Sequence, residues 1–173
     1  MSRPKFELAI ILDLLRRSEN DPEDRNSFGQ AISRMERDER HESLEFKSEG
    51  IDVVFKETWV RSSDAVADPR ELYVAAFHLH REGHEGYVGY SGQLPNSVTL
   101  DEPESDVLRK MGHPILVGGG GLSKVLEGPI SRWFRYALGK GFLNLQLDAN
   151  GRLEMATVDS LYMENDLLSP TSL

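Results

Sequence analysis

The sequence predicts an α+β protein made of two tandem units, each a helix followed by an antiparallel sheet, with the helices packed on one face of a shared sheet. Two observations predict this fold class. In each half of the chain, the spacing of apolar residues changes from three or four to two. Both halves also repeat the order helix, strand, Gly-containing turn, strand and strand, which indicates an internal duplication. The predicted units span residues 1–86 and 99–163, with a connector over 87–98 and a loose tail over 164–173.

The first unit begins with two predicted helices. Apolar residues recur at three- and four-residue spacing between Lys5 and Arg17, which is typical of an amphipathic helix. Asp21 and Pro22 then provide an N-cap and a first-turn proline. A second helix is therefore expected to run to about Arg37.

Three strands should complete the first unit. Apolar and polar residues alternate over 44–46 and 51–55, on either side of a turn at Gly50, and again over 73–79. A polar insert over 61–70 separates the second strand from the third.

The second unit follows a connector rich in Gly and Tyr. Thr99 or Asp101 is expected to cap a helix that ends at Gly112. A flexible loop is predicted over 118–121, and strands over 133–138, 142–147 and 153–158. Asn150-Gly151 predicts a hairpin with a type I′ turn, which needs positive φ at both residues.

Composition excludes several classes of function. The chain has no Cys, which rules out a disulfide framework, a Cys nucleophile and a Cys-ligated metal. The apolar stretch near the N-terminus is interrupted by Glu7 and Asp13, so neither a signal peptide nor a spanning helix is predicted, and a cytoplasmic location is expected. The net charge of −9 disfavours nucleic acid and anionic membranes as partners and favours basic proteins.

The second half contains a pattern that resembles a known class of protein. Its parts are Gly92-Gln-Leu-Pro, the stretch 106–114, Trp133-Phe-Arg-Tyr and Asp148-Ala-Asn-Gly-Arg. This pattern resembles immunity proteins paired with bacterial polymorphic or contact-dependent toxins. A wider similarity exists to the beta-lactamase inhibitor protein, in which tandem helix and sheet units present one sheet face to an enzyme.

The resemblance implies stoichiometric inhibition of a cognate toxin made by the same cell, in a one-to-one complex, without catalytic residues or cofactor. The acidic surface suits a basic target such as a nuclease. Aromatic side chains often anchor interfaces and carboxylates attract a basic partner, although these aromatic residues fit a core equally well and the acidic ones also suit a helix start. The candidate partner-binding residues are Trp59, Asp64, Tyr87, Tyr90, Asp101, Glu102 and Glu104.

Two other functions stay open. His78, His80 and His84 form an H-x-H-x-x-x-H pattern that could bind zinc or nickel, in a metal-binding protein or an enzyme, although His84 lies among turn residues. An adaptor or chaperone that carries an effector is the third alternative. The chain lacks G-x-S-x-G and H-E-x-x-H motifs, and its four-glycine run lacks the Gly-Lys-Ser/Thr of a phosphate loop, so no catalytic site and no cofactor are predicted.

Overall fold

The structure is a computed structural model that describes residues 6–15, 17, 42–57, 72–123 and 128–160. Within these residues the α-helices are α1 (Leu8–Leu14) and α2 (Glu104–Met111), and single 3-10 turns lie at Lys47–Glu49, His84–Gly86 and Pro95–Ser97. The strands are β1 (Glu42–Phe46), β2 (Ile51–Glu57), β3 (Leu72–His80), β4 (Leu116–Gly118), β5 (Leu122–Ser123), β6 (Gly128–Pro129), β7 (Trp133–Leu138), β8 (Gly141–Leu147) and β9 (Leu153–Ser160).

Seven of these strands form one antiparallel sheet, in the order β1-β2-β3-β9-β8-β7-β4, while β5 and β6 form a separate ribbon. The sheet joins the two halves of the chain where β3 pairs with β9, with Phe77 opposite Val158 and Leu79 opposite Ala156. Strands from both predicted units therefore belong to a single continuous sheet.

The predicted fold class is wrong. The described chain is dominated by its sheet and has helices of only 7 and 8 residues, so it does not consist of two helix-then-sheet units with helices packed on the sheet. The physical reason is the small apolar surface of the helices, which bury only Ile11 and Leu14 from α1 and Val107 from α2. The irregular segment between β3 and α2 covers further core through Leu94 and Val98.

Both described helices differ in their bounds from the predictions. α1 lies inside the predicted range 5–17 but is shorter. Neither described helix is long and apolar enough to cross a bilayer. α2 follows Pro103 without a side-chain cap, so neither Thr99 nor Asp101 caps it, and it ends as predicted at Gly112, whose φ is 76°. The predicted helix to Arg37, the insert over 61–70 and the tail over 164–173 lie outside the described residues.

All six predicted strands are confirmed as β1, β2, β3, β7, β8 and β9. Apolar and polar residues alternate along these strands, because every second side chain faces the apolar core. Many sheet residues in this layer are at most 1% exposed. They include Ile51, Val53, Phe55, Phe77, Leu79, Phe134, Leu143, Leu145, Leu147, Leu153 and Val158. The predicted loop over 118–121 is corrected at its start, because Gly118 is the last residue of β4.

The hairpin at Asn150-Gly151 is confirmed, but its predicted turn type is wrong. Only Gly151 has a left-handed conformation, with φ of 72°. Asp148 organises the turn, because its Oδ1 accepts hydrogen bonds from the backbone N–H groups of Asn150 and Arg152, both at 2.9 Å. This carboxylate favours a turn in which Asn150 keeps an ordinary conformation.

Candidate functional site

A row of polar side chains crosses the sheet face opposite the core. Six residues on neighbouring strands lie opposite one another because the antiparallel register aligns them. From β1 to β7 they are Glu45, Asp52, His78, Thr157, Asn144 and Arg135. Two clusters lie along this row, a histidine and carboxylate cluster near β3 that includes Asp52 and a guanidinium and carboxylate cluster near β7 that includes Asn144 and Arg135.

The cluster near β3 is a chain of two imidazoles between two carboxylates. Nδ1 of His80 lies 2.9 Å from Nδ1 of His84. On the outer sides, Nε2 of His80 lies 3.6 Å from Oδ1 of Asp52, and Nε2 of His84 lies 3.7 Å from Oε2 of Glu154. The other oxygen of Glu154 accepts a hydrogen bond from the Gln146 amide at 3.0 Å, which orients this carboxylate.

His80 is the buried member of the cluster, with 1% of its surface exposed. Its ring stacks on Tyr87, with centroids 3.8 Å apart and planes 4° from parallel. Burial, together with the charge of Asp52, raises the pKa of Tyr87 above its ordinary value, so the stacked phenol stays neutral. Within the described residues, neither Nε2 of His80 nor Oδ1 of Asp52 has a hydrogen-bond partner, an arrangement that is costly at a buried position.

The two imidazoles of this cluster and the nearby Glu85 could hold a metal ion. One ligand atom each from His80, His84 and Glu85 lies within 4.8 Å of the others. His78 does not belong to this set, and its ring centroid lies 6.4 Å from that of His80. Burial lowers the pKa of His78, against the opposing effect of Asp52. The structure thus brings together two of the three histidines that the sequence singled out.

The cluster near β7 is a hydrogen-bond network across three strands. Arg135 donates hydrogen bonds to both carboxylate oxygens of Asp159, at 3.1 and 3.2 Å, and to Oδ1 of Asn144 at 3.0 Å. Asn144 in turn donates to Asp159 at 2.9 Å, and the guanidinium lies 4.1 Å from the ring centroid of Phe142. These contacts join β7, β8 and β9, so this network stabilises the sheet.

The edge of the sheet at β4 carries an apolar patch, defined here as Ile115, Leu116 and Val117. Their exposed fractions are 53%, 49% and 54%. Leu116 pairs with Arg135 and Val117 with Phe134, so the two side chains lie on opposite faces of the sheet. Among the described strands β4 is terminal, and its apolar side chains are exposed on both faces.

The two predicted partner-binding tyrosines make internal contacts. Tyr87 is buried beneath His80, and its ring centroid lies 5.6 Å from the Lys47 ammonium. Tyr90 donates its hydroxyl to the backbone oxygen of Phe6 at 2.9 Å, and burial raises the pKa of Tyr90 to about 12. Trp59 and Asp64 lie outside the described residues.

The three predicted acidic residues near α2 also have internal partners. Asp101 accepts hydrogen bonds from Arg81 and Arg152. Glu102 accepts from Thr99 and Lys110, and Glu104 forms an ion pair with Arg132 at 3.2 Å. Their role in binding a partner stays a prediction.

Sequence reasoning missed Asp52, Glu154 and the β4 patch. The H-x-H-x-x-x-H pattern points to the histidines, but the two carboxylates come from β2 and β9, and only the strand register brings them to β3. In the sequence, the run Ile115-Leu116-Val117 was the available signal for the patch. That these side chains are exposed follows only from the terminal place of β4 in the sheet.

Comparisons with known proteins show a similarity of fold only. No protein-family profile matches the chain. An extracellular protein from Bacillus anthracis that contains an SCP domain aligns with a TM-score of 0.51 and 13% identity, over 94% of this chain and 48% of that protein, so the chain spans about half the length of this relative. A DUF4309 family protein from Bacillus subtilis aligns with a TM-score of 0.44 and 10% identity, over 81% of this chain and 77% of that one. Neither description mentions a toxin inhibitor.

Proposed function

We propose that this chain is a non-catalytic immunity protein that binds a cognate bacterial toxin one to one and neutralises it in the cytoplasm of the producing cell. The observation that carries the proposal is the β4 patch at the edge of the sheet. The toxin-immunity pattern in the sequence, from Gly92 to Arg152, supports the same function.

The β4 patch has the properties of a strand that accepts another strand. Alternate backbone N–H and C=O groups of an edge strand point away from its sheet and can pair with an extended segment of another protein. Natural edge strands usually carry charges, prolines or bulges that prevent such pairing, whereas Ile115–Gly118 contains no charge. Apolar side chains exposed on both faces favour a partner that covers the edge from both sides.

Charge supports the choice of a basic toxin. The chain carries a net charge of −9, and complementary charge accelerates the encounter of two proteins and disfavours like-charged partners. A nuclease domain, which must attract phosphates, is the kind of basic target that this surface suits. The target's active site would be blocked directly or by binding next to it.

The test begins with the protein encoded by the neighbouring gene. Co-expression is expected to rescue cells from that protein's toxicity, and size-exclusion chromatography with light scattering should give a one-to-one complex. An adaptor or chaperone would bind without rescue. If the pair forms no complex and shows no rescue, the proposal fails.

A pair of variants tests the role of the β4 patch. Replacing Leu116 and Val117 together by Lys should weaken binding at least tenfold, roughly 1.4 kcal/mol, because two ammonium groups would be buried against the partner. Val88→Lys combined with Ile10→Lys is the control, since Val88 and Ile10 are 63% and 43% exposed and lie outside β4. Both double variants change the charge by the same amount. Equal loss of binding in the two would remove the patch from the proposal.

A further inference from the structure

We propose that His80, His84 and Glu85 form a binding site for one divalent transition-metal ion such as zinc, with Asp52 and Glu154 as the carboxylates that orient the two imidazoles. This inference is independent of toxin binding. It also replaces the sequence hypothesis of a site at all three histidines, because His78 lies outside the group.

The possible ligand atoms of the three residues lie close together. The two Nδ1 atoms are 2.9 Å apart, and the ligand atoms of all three residues lie within 4.8 Å of one another. Zinc bonds of about 2.0–2.1 Å in a tetrahedral arrangement place neighbouring ligand atoms roughly 3.3 Å apart. An ion bound by both imidazoles requires this Nδ1–Nδ1 separation to increase by a few tenths of an ångström, and it requires the Glu85 carboxylate, within 4.8 Å, to move closer. The exposed Glu85 closes the third position and leaves a fourth open to water or to a group from a partner.

The outer edges of both imidazoles support the assignment more strongly than the ligand distances do. A metal-bound histidine usually donates its second ring N–H to a carboxylate or backbone oxygen, which fixes the tautomer and the ring orientation. Here Nε2 of His80 faces Asp52 at 3.6 Å and Nε2 of His84 faces Glu154 at 3.7 Å. Both rings thus direct Nδ1 inward and Nε2 toward a carboxylate, as two metal ligands with their orienting groups would.

Charge favours a cation at the same point. Asp52, Glu85 and Glu154 surround two imidazoles that are neutral when they bind metal, so a divalent ion offsets most of the local negative charge. Without an ion, the two facing Nδ1 atoms must share one proton, because two lone pairs at 2.9 Å repel. Nε2 of the buried His80 and Oδ1 of Asp52 lie 3.6 Å apart without another hydrogen-bond partner among the described residues, and a proton on Nε2 makes them a donor facing an acceptor.

The backbone holds His84 and Glu85 over His80. A tight turn after β3 is closed by hydrogen bonds from the Gly83 N–H to the Tyr87 oxygen and from the Tyr87 N–H to the His84 oxygen, both 2.9 Å long. Glu85 lies in this turn with φ of 49°, a conformation that non-glycine residues rarely adopt. Such strain persists where the surrounding structure requires it and is often found at binding sites. The stacked Tyr87 ring fixes the buried imidazole from below.

Zinc titration of the full chain tests the site. After treatment with a chelator, isothermal titration should show one zinc ion per chain, and cobalt should give the intense visible absorption of a tetrahedral site. His84→Ala should abolish both signals, and Glu85→Gln should weaken zinc binding. His113→Ala is the matched control because His113 is exposed and lies outside the cluster. This variant should bind zinc like the parent chain.

The orienting carboxylates give a second, more specific test. Glu154→Gln should weaken zinc binding by about 10- to 100-fold while the stoichiometry stays at one, because the imidazole loses its charged partner but keeps Nδ1. Circular dichroism should show that each variant is folded. Absence of saturable zinc and cobalt binding by the folded parent chain would overturn the proposal. Equal losses in His113→Ala and His84→Ala would do so too, since they indicate adventitious binding to surface histidines.

Discussion

At the scale of single residues, Gly50 shows how the segment after β3 is held against the sheet. Gly50 is buried with φ of 71°, and a Cβ placed on it would lie 2.1 Å from the backbone nitrogen of Tyr90 and 2.2 Å from the carbonyl carbon of Gly89. The atoms in the way are backbone, which cannot rotate aside. His80 is hydrogen-bonded to both segments that cross here, since its N–H donates to the Gly50 oxygen and its carbonyl accepts from the Tyr90 N–H. A small residue at this position therefore keeps the connector next to the histidine cluster.

Comparing Gly50→Ala with Gly151→Ala separates the stability lost through a steric clash with the connector from the stability lost through a left-handed backbone conformation. The two glycines have nearly the same φ, 71° and 72°, but a Cβ on Gly151 would meet nothing within 4 Å. We expect Gly151→Ala to lower the free energy of unfolding by about 1–2 kcal/mol, the cost of a left-handed alanine. Gly50→Ala should cost about 3 kcal/mol or more, because displacement of the connector is added. Urea denaturation measures both, and equal values would contradict the packing described for Gly50.

At the scale of elements, the sequence predicted those strands that have one buried face. β2, β3, β8 and β9 alternate clearly because one side of each strand packs in the core. β4 could not be predicted in the same way, because its three residues are too few to show a period and its apolar side chains are exposed on both faces. The two helices within the described residues are shorter than predicted from their apolar stripes, and in α2 only Val107 is buried.

The sequence could predict only part of the candidate site for a related reason. His80 and His84 are close in the chain, and their spacing alone predicts proximity across a turn. Asp52 and Glu154 reach them through the pairing of β2 with β3 and of β3 with β9. Pairing between distant strands depends on the whole core, so local spacing carries no information about it.

The β8–β9 turn gives a prediction that separates the observed turn from the expected type I′ turn. A type I′ turn places both central residues at positive φ, whereas here only Gly151 does so. Asn150→Ala should therefore change the free energy of unfolding by less than about 0.5 kcal/mol, in contrast to the larger cost of Gly151→Ala. Thermal unfolding of the two variants makes the comparison. A decrease in the free energy of unfolding for Asn150→Ala as large as that for Gly151→Ala would support the type I′ turn instead.

At the scale of the whole molecule, an ionic network connects segments that are far apart in the chain. Arg81, just after β3, donates to Asp101 at 3.1 Å and to Asp148 at 2.8 Å. Arg152 adds two hydrogen bonds to Asp101, at 3.0 and 2.9 Å. Backbone bonds strengthen the junction, since the Asp101 N–H donates to the Leu153 oxygen at 2.7 Å. The network fixes the segment before α2 against the start of β9, and so joins the two halves of the chain.

Three carboxylates at this junction have lowered pKa values. The hydrogen bond from Arg152 is the main cause for Asp101. Burial alone would raise the pKa of Asp148 and of Glu102, but hydrogen bonds to each carboxylate lower it further than burial raises it. For Asp148 the donors are backbone N–H groups and Arg81. For Glu102 they are Lys110 and Thr99. Each carboxylate therefore binds its proton less readily in the folded state than in the unfolded state.

This difference predicts how the stability of the molecule depends on pH. Because the unfolded chain binds more protons as pH falls, the free energy of unfolding should be largest above the ordinary carboxyl range and should decrease between about pH 5 and pH 2. Asp148→Asn removes one of the responsible groups, so its urea-derived free energy should fall less steeply over that window than that of the parent chain. Asp106→Asn is the control, because its partner Arg109 is 68% exposed and solvent weakens such pairs, and it should keep the parent slope. A parent slope in Asp148→Asn would mean that Asp148 does not couple protonation to folding, and the acid sensitivity of the chain would then have to arise from other carboxylates.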